Sequence, residues 1–212
     1  MSSVVLLARP GELRAVLGAG RADALDALVA GVVADPGTLC RVFPTAARRT
    51  ARGDLPGGGR IEDAVRVELV AAAASVLSPD ALVQDLGLLY HHGDADERRA
   101  VLLGLSALDD TDVDGSSILL DALRTNDIRL VTAAMGRHAR TLGLHDWRHG
   151  VLKCLFVGAP LDQVADLAER ADDELGAMVR RYVVERQAAG RTVPDDARLV
   201  LRLTDPTSSR KG

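Results

Sequence analysis

The fold class is best predicted from one stretch of the sequence, Leu123–Gly190, which reads LRTNDIRLVTAAMGRHARTLGLHDWRHGVLKCLFVGAPLDQVADLAERADDELGAMVRRYVVERQAAG. On both sides of the polar triplet Arg124-Thr125-Asn126, apolar residues recur three and four positions apart, which is the spacing of amphipathic helices. The stretch also holds the single tryptophan and three of the five histidines of the chain. We therefore expect helices here, and we expect any chemistry to converge on them.

The composition of the whole chain extends this interpretation. Of its 212 residues 47% are hydrophobic but only 2% are aromatic, and a core of Leu, Val and Ala favours helices over strands. The length favours a single helical domain, residues 1–204, with a disordered tail at 205–212. Residues 43–60 are basic and rich in Gly and Pro, so we predict a long loop there.

Several residues mark helix boundaries. Pro10 starts a helix that ends at Gly18, and Pro79 follows Ser78 at another start. Asp94 precedes Glu97 by three residues, the spacing of a capping box. Pro160 is predicted to open a helix through LDQVADLAERA. The helices recur without one exact repeat length, which predicts an all-α fold of antiparallel helix pairs stacked as a HEAT-like solenoid. A compact orthogonal helical bundle is the alternative.

Charge and cysteine content restrict the possible partners. A net charge of -4 with interleaved acids and bases argues against nucleic acid as a partner. No segment reaches the roughly 18 apolar residues of a membrane helix, and the N-terminus does not look like a signal peptide. Cys40 and Cys154 match no metal or redox spacing. We expect a cytoplasmic protein with no cofactor, and the oligomeric state stays open.

Two patterns resemble metal sites, and for both we favour a metal-free interpretation. The acidic segment Asp110–Asp121 partly matches a calcium-binding loop, but its twelfth position is Asp rather than the longer Glu. A solvated acidic turn before a helix explains it as well. His145 and His149 share one helix face, a spacing that zinc sites use, but no third ligand is evident. We predict no metal at either place.

Other polar residues are candidates for a ligand site. A guanidinium beside an amide, as at Arg124 and Asn126, suits the orientation of an anionic or hydroxylated ligand. C-capping of a helix by Asn126 is the alternative. Lys153 lies in the apolar run VLKCLF, so it either extends outward or is partly buried. The candidate ligand-binding residues are Tyr90, His91, Arg124, Asn126, Trp147 and Lys153. The candidate catalytic residues are His91, His149 and Lys153.

Four motifs resemble the EboA family of bacterial metabolite-traffic proteins. They are YHHGDADERRAVLLGL from Tyr90, LRTN from Leu123, W-x-x-x-VLK-x-LF-x-G over Trp147–Gly158, and RADDELGAMVRRYVVERQAAGRTV ending at Val193. The region that resembles the family covers residues 87–193. The chain departs from the family pattern at Arg137–Arg140, where the family has Asn-Pro-Tyr, and at Arg148–Gly150, where it has Asn-Gln-Met.

The resemblance implies a function in bacterial secondary metabolism. Such proteins are encoded beside a UbiA-type prenyltransferase, TIM-barrel metal-dependent enzymes and a sugar-phosphate cyclase. We therefore expect a helical protein that binds a small cyclitol-like or prenylated metabolite, or a biosynthetic partner enzyme, during synthesis and trafficking. A lyase, cyclase or isomerase that uses histidine for general acid–base catalysis in a helical pocket is the alternative.

Overall fold

A computed structural model describes residues 6–108 and 112–205, and within these ranges the fold is all-α, as the sequence predicts. The helices of the described residues form two compact units, which divide after Asp121. The first seven are α1 (Pro10–Leu17), α2 (Ala19–Ala34), α3 (Leu39–Val42), α4 (Ala46–Arg49), α5 (Ile61–Ala74), α6 (Pro79–His92) and α7 (Ala95–Ala107). The others are α8 (Ser116–Arg124), α9 (Ile128–Ala134), α10 (Leu144–Val157), α11 (Leu167–Arg170), α12 (Asp173–Ala188) and α13 (Asp195–Leu203).

Helix α5 forms the centre of the first unit. Every residue from Ile61 to Val70 is buried, and α5 contacts α1, α2, α3, α4, α6 and α7. A helix covered on all sides has no face for solvated charges. Nevertheless, four of its buried side chains are charged: Glu62, Asp63, Arg66 and Glu68.

Those buried charges are compensated by partners from neighbouring segments. Both carboxylate oxygens of Asp63 accept hydrogen bonds from Arg99 of α7, at 2.9 and 3.1 Å. Both carboxylate oxygens of Glu68 accept from Nη1 of Arg14 at 2.6 Å. Burial lowers the pKa of Arg14, but hydrogen bonds to Glu68 and Asp26 outweigh that effect and raise it. Because a buried charge is tolerated only when paired, these contacts specify how α1 and α7 pack on α5.

The segment 43–60, for which the sequence predicts a loop, includes the one-turn helix α4 and buried apolar side chains. Phe43 and Ala46 are fully buried, and Leu55 is 7% exposed. The backbone amide of Gly53 donates to Oε2 of Glu62 at 3.0 Å. The connection is therefore packed onto α5 instead of lying free in solvent.

Helix α10 is the main packing element of the second unit, where it contacts α9 and α12. Trp147, Val151, Cys154 and Leu155 form its buried face. The helix ends at Gly158, whose φ of 80° lies in the left-handed region that glycine tolerates. Helix α13, which we did not predict, packs against α12. The Pro194-Asp195-Asp196 sequence at its start is a local signal that could have revealed it.

The helix predicted after Pro160 is wrong. The chain forms a single 3₁₀ turn, Leu161–Gln163, and then the short helix α11. Between them the amide of Ala165 donates to the carbonyl oxygen of Met135 at 3.0 Å, and Asp166 takes a φ of 55°. This hydrogen bond to a distant residue replaces a bond within the helix, so continuous periodicity in the sequence did not give a continuous helix.

Other predicted boundaries are confirmed. Helix α1 begins at Pro10 and its C-cap is Gly18. Ser78 caps α6, where its hydroxyl accepts from the amide of Ala81. Asp94 and Glu97 form the predicted capping box of α7. The single domain over residues 1–204 and the solenoid arrangement of the helix pairs stay predictions, and the tail from residue 206 onward lies outside the described residues.

Candidate ligand-binding site

The residues predicted to form a site belong to both units. Tyr90 and His91 lie in the first unit, at the end of α6. The second unit contains the other candidates, which are Arg124, Asn126, Trp147, His149 and Lys153.

Lys153 and Asn126 contact each other directly. The ammonium group of Lys153 donates a 2.7 Å hydrogen bond to Oδ1 of Asn126, although the two residues are 27 positions apart. Asn126 is exposed and Lys153 is half-buried. Among the described residues Lys153 forms no ion pair with a carboxylate. Because an ammonium group has three donors, this cation keeps donors available for a ligand.

Arg124 precedes Asn126 by two residues and is exposed at the end of α8. Within the part of the chain that the structure describes, its side chain forms no hydrogen bond or ion pair. A guanidinium without a carboxylate partner keeps its full capacity to bind an anion. It is therefore a second available cation of this unit.

Phe156 adds an apolar surface next to Lys153. Its side chain is 65% exposed, and the Lys153 ammonium lies 5.9 Å from the centre of its ring, in cation–π geometry. One turn separates the two residues on α10. We did not single out Phe156 from the sequence, although the LF of the family motif contains it. A large exposed aromatic residue is a frequent mark of a binding surface.

Phe156 also lines a cavity of about 110 Å³ against the end of α12. The other lining residues include Tyr182, Glu185, Arg186 and Arg191. The Tyr182 hydroxyl donates to the carbonyl oxygen of Leu155 at 2.9 Å, and the Arg186 guanidinium lies 5.6 Å from the Tyr182 ring centre. Nε of Arg186 donates to the carbonyl oxygen of Thr192 at 2.6 Å. These contacts fix the cavity wall, so its shape exists before a ligand binds.

Trp147 lies inside the second unit. Its side chain is fully buried, and the Arg170 guanidinium stacks 4.8 Å from the ring centre. Arg170 is held by hydrogen bonds to the carbonyl oxygens of Ala139 and Leu142, at 2.8 and 2.7 Å. Burial lowers the pKa of Arg170. Trp147 is therefore a core residue of the second unit. Its contact with a ligand stays a prediction.

The two histidines with zinc-like spacing lie on an exposed part of α10. The centroids of the His145 and His149 rings are 4.6 Å apart, and both residues are exposed. In residues 6–108 and 112–205 no group of three or more His, Cys, Asp or Glu side chains could hold a metal ion. The acidic loop that resembles a calcium site begins at Asp110, which lies outside the described residues, as does Thr111.

Tyr90 and His91 point to different environments in the first unit. Tyr90 is 4% exposed, its ring lies 5.5 Å below the Arg98 guanidinium, and burial together with the nearby Asp121 carboxylate raises its pKa to about 12. His91 is exposed and its ring stands edge-on to that of His92 at 4.8 Å. Adjacent positions on a helix point about 100° apart, so the two predicted residues do not share one surface.

The described fold and surface define an all-helical protein whose second unit exposes the ammonium group of Lys153 beside the aromatic ring of Phe156. Its sequence matches the family model described as metabolite traffic protein EboA over residues 43–201. The chain belongs to the EboA family. Comparison with curated proteins and with solved structures gave no match. No helix of the described residues combines the length and hydrophobicity that crossing a membrane requires.

Proposed function

We propose that this EboA-family protein binds a small metabolite on its second unit without transforming it. The observation that carries the proposal is the Lys153–Asn126 hydrogen bond: the amide orients the ammonium group, yet no carboxylate of the described residues neutralises it. A cation without an acidic partner, held beside an exposed aromatic ring, can bind an anionic group while the ring covers an apolar group.

The same arrangement indicates the chemical class of the metabolite. Lys153 offers positive charge next to the Phe156 ring, and the adjoining cavity is lined by two arginines, Arg186 and Arg191, and one carboxylate, Glu185. A molecule with a phosphate or carboxylate and an adjoining hydrocarbon part would use both features. The prenylated metabolite expected from the family resemblance has this character, and a cyclitol phosphate would use the cations alone. We place this binding function in the cytoplasm, during the synthesis and trafficking of the metabolite.

Native mass spectrometry of the freshly purified chain, before and after a chelator, tests the proposal. We expect additional mass that the chelator does not remove, which identifies an organic ligand. Lys153→Met should lose this mass or retain it about tenfold less well, because hydrogen bonds to charged groups contribute roughly 1.5–3 kcal/mol. Arg198→Met on α13 is the matched control, since it removes an exposed positive charge of the same unit.

Two results would oppose the proposal. If Lys153→Met and Phe156→Ala both keep the bound mass, the ligand does not use this surface. If the bound mass disappears with the chelator, a metal ion rather than an organic metabolite occupied the protein. Far-UV circular dichroism of each variant shows whether the helices remain intact.

Binding of a partner enzyme is a second candidate, which the exposed apolar side chains of the second unit favour. Leu144, Phe156 and Val184 are 49%, 65% and 63% exposed. Apolar residues in such positions are typical of surfaces that a second protein covers. A bare chain mass in the native spectrum, together with co-purification of an enzyme that is lost in Val184→Asp, would favour this candidate over metabolite binding.

The catalytic alternative receives less support from the geometry. General acid–base chemistry works best where water is excluded around the titrating group. His91 and His149 are both exposed, and Lys153 donates to an amide oxygen instead of a carboxylate. Loss of product formation in Lys153→Ala and His149→Ala, in a reconstituted pathway and with binding intact, would favour the enzyme.

A further inference from the structure

The first unit contains a cavity of about 290 Å³ that none of the predicted site residues lines. It lies between α3, the end of α6 and the first turn of α7. Its lining residues include Cys40, Pro44, Leu88, Leu89, His92 and Glu97. Most of this surface is apolar, and its polar side chains include the Glu97 carboxylate and the exposed His92 imidazole. A largely apolar cavity with a small number of polar groups is typical of small-molecule sites.

The Glu97 carboxylate is fixed in place but keeps one oxygen available. Oε2 accepts a hydrogen bond of 3.1 Å from the backbone amide of Asp94, within the capping box of α7. Oε1 lies 3.6 Å from Nη2 of Arg66, beyond hydrogen-bond distance. Among the described residues Oε1 accepts no hydrogen bond. It can therefore accept one from a ligand without losing its contact with the protein.

Arg66 determines the charge of a ligand that fits next to Glu97. Its side chain is 2% exposed, Nε donates to the carbonyl oxygen of Phe43 at 3.3 Å, and its guanidinium lies 5.6 Å from the Phe43 ring centre. The Arg66 guanidinium already compensates the charge of Glu97 from outside the cavity, so a cationic ligand would find no uncompensated carboxylate, and an anionic ligand would meet the Glu97 carboxylate. Since either charge is costly to bury without its own partner, an uncharged ligand is favoured.

Gly93, which also lines the cavity, lets α6 and α7 approach each other at this point. A methyl group there would come within 2.6 Å of the carbonyl oxygen of Leu89 and within 2.9 Å of Cβ of Glu97. Any larger residue would thus displace Glu97 from its position. The absence of a side chain at this residue preserves both the cavity and the capping box.

We propose that this cavity binds a small, uncharged, mainly apolar molecule that donates one hydrogen bond, from a hydroxyl or N–H group, to Oε1 of Glu97. Its volume corresponds to a ligand of about a dozen non-hydrogen atoms, at the small end of the range of ligand sites. The site is separate from the surface around Lys153 and does not depend on the function proposed for it.

Cys40 provides a reporter for this site. It is half-buried on the cavity wall, whereas Cys154 is fully buried in the second unit. Burial raises the pKa of the Cys40 thiol, and the Asp85 carboxylate adds to this effect. A thiol that stays protonated is a poor nucleophile, so we expect Cys40 to react slowly with an alkylating reagent. Slow alkylation of Cys40 nevertheless reports whether the cavity is filled.

The experiment uses the full chain with 2-naphthol as the probe and naphthalene as the matched compound without a hydroxyl. Iodoacetamide alkylation of Cys40 is followed by peptide mass spectrometry at increasing probe concentration. We expect 2-naphthol to protect Cys40 in a saturable way and to bind more tightly than naphthalene. Glu97→Gln should weaken 2-naphthol binding about fivefold and leave naphthalene binding unchanged, because a neutral acceptor replaces a charged one.

Two further variants, Leu88→Trp and its control Val33→Trp, test whether the probe occupies this cavity. Both positions are exposed on helices of the first unit, at 53% and 44%, but only Leu88 lines this cavity. The indole ring introduced by Leu88→Trp should fill the cavity and abolish protection, measured relative to the alkylation rate of each variant without probe. Val33→Trp should behave like the parent chain. Absence of saturable protection, or protection that persists in Leu88→Trp, would overturn the proposal. Lys153→Met should leave protection unchanged, which separates this test from that of the second unit.

Discussion

Gly104 of α7 lies so close to Val70 of α5 that a methyl group on Gly104 would come within 2.9 Å of Cγ2 and 3.1 Å of Cβ of Val70. Val70 is fully buried and β-branched, so its side chain has little freedom to move away. The missing side chain of Gly104 therefore determines how closely the two helices pack in the first unit.

Gly104→Ala should lower the free energy of unfolding by about 1–3 kcal/mol, as expected for overpacking of a core. The matched control is Gly87→Ala in α6, where an added methyl group meets no atom within 4 Å. That substitution should stabilise the protein by about 0.5–1 kcal/mol through helix propensity. Urea unfolding followed by circular dichroism measures both. Equal effects of the two substitutions would contradict the packing argument.

Arg99→Met should destabilise the first unit, and increasingly so as the pH rises. Burial already raises the pKa of Asp63, while the hydrogen bonds from Arg99 oppose this increase. Without Arg99 the folded-state pKa rises further above the unfolded value, so stability that is present at low pH is lost as the pH rises through the folded pKa. We expect a loss of about 3–5 kcal/mol near pH 8 and a smaller loss near pH 5.

The double substitution Asp63→Leu with Arg99→Met is the control for this prediction. It removes both charges, so it should cost less than Arg99→Met alone and should show less dependence on pH. Urea unfolding at both pH values gives the comparison. A loss in Arg99→Met that stays constant with pH would show that Asp63 is not the group responsible.

Arg148→Met should destabilise the second unit at neutral pH and have little effect on its stability at low pH. The carboxylate responsible is Asp172, whose pKa in the folded chain is lowered, in contrast to that of Asp63. Arg148 pairs with Asp172, which also caps α12 through a 3.0 Å hydrogen bond from the amide of Leu175. The hydrogen bond with Arg148 holds the pKa of Asp172 below its ordinary value, despite some desolvation. The stabilisation by the Arg148–Asp172 pair is therefore present above the pKa of Asp172 in the unfolded chain, about 3.9, and is lost as the pH falls through its pKa in the folded chain.

The difference in urea midpoint between the parent chain and Arg148→Met should accordingly shrink as the pH falls from about 5 to about 2.5. Arg198→Met serves as the comparison, because it removes a pair with Asp195 whose side chains are 63% and 91% exposed. Such exposed pairs contribute little to stability, so this variant should follow the parent chain throughout. A difference for Arg148→Met that is independent of pH would refute the assignment.

Asn126→Asp should weaken the binding of an anionic metabolite, although it leaves Lys153 in place. The new carboxylate would lie where Oδ1 now accepts the 2.7 Å hydrogen bond from Lys153, and it would neutralise the ammonium group. Isothermal titration calorimetry with geranyl phosphate should show an affinity about fivefold or more below that of the parent chain. Asn126→Ser, which adds no charge, should lose less. Equal losses would indicate that the charge on Lys153 is not what the phosphate contacts.

The two cysteines should differ in reactivity within the folded chain. Burial raises the pKa of the Cys154 thiol to about 12, whereas Cys40 is half-buried. At pH 8 iodoacetamide should therefore modify Cys40 slowly and leave Cys154 unmodified until the protein is unfolded in urea. Peptide mass spectrometry distinguishes the two sites, and rapid modification of Cys154 in the folded protein would contradict its burial.

The sequence predicted the helices where their signals are local. Pro10, Ser78 and the Asp94–Glu97 box identify helix starts because a cap satisfies amide groups within one turn. The prediction failed after Pro160, where the amide of Ala165 bonds to the carbonyl oxygen of Met135, a residue far away in the chain. Hydrogen bonds of that kind depend on tertiary packing, which periodicity does not encode.

For the candidate site, the sequence by itself determined the all-α class, the family motifs and the unusual position of Lys153 in an apolar run. The tertiary structure decided which of the predicted residues meet. It paired Lys153 with Asn126, buried Trp147 beneath Arg170, and exposed Phe156, which the sequence analysis had not selected. Residue types and spacing fix propensities within a few turns of helix, but contacts between distant residues and the exposure of each face are fixed only when the helices pack.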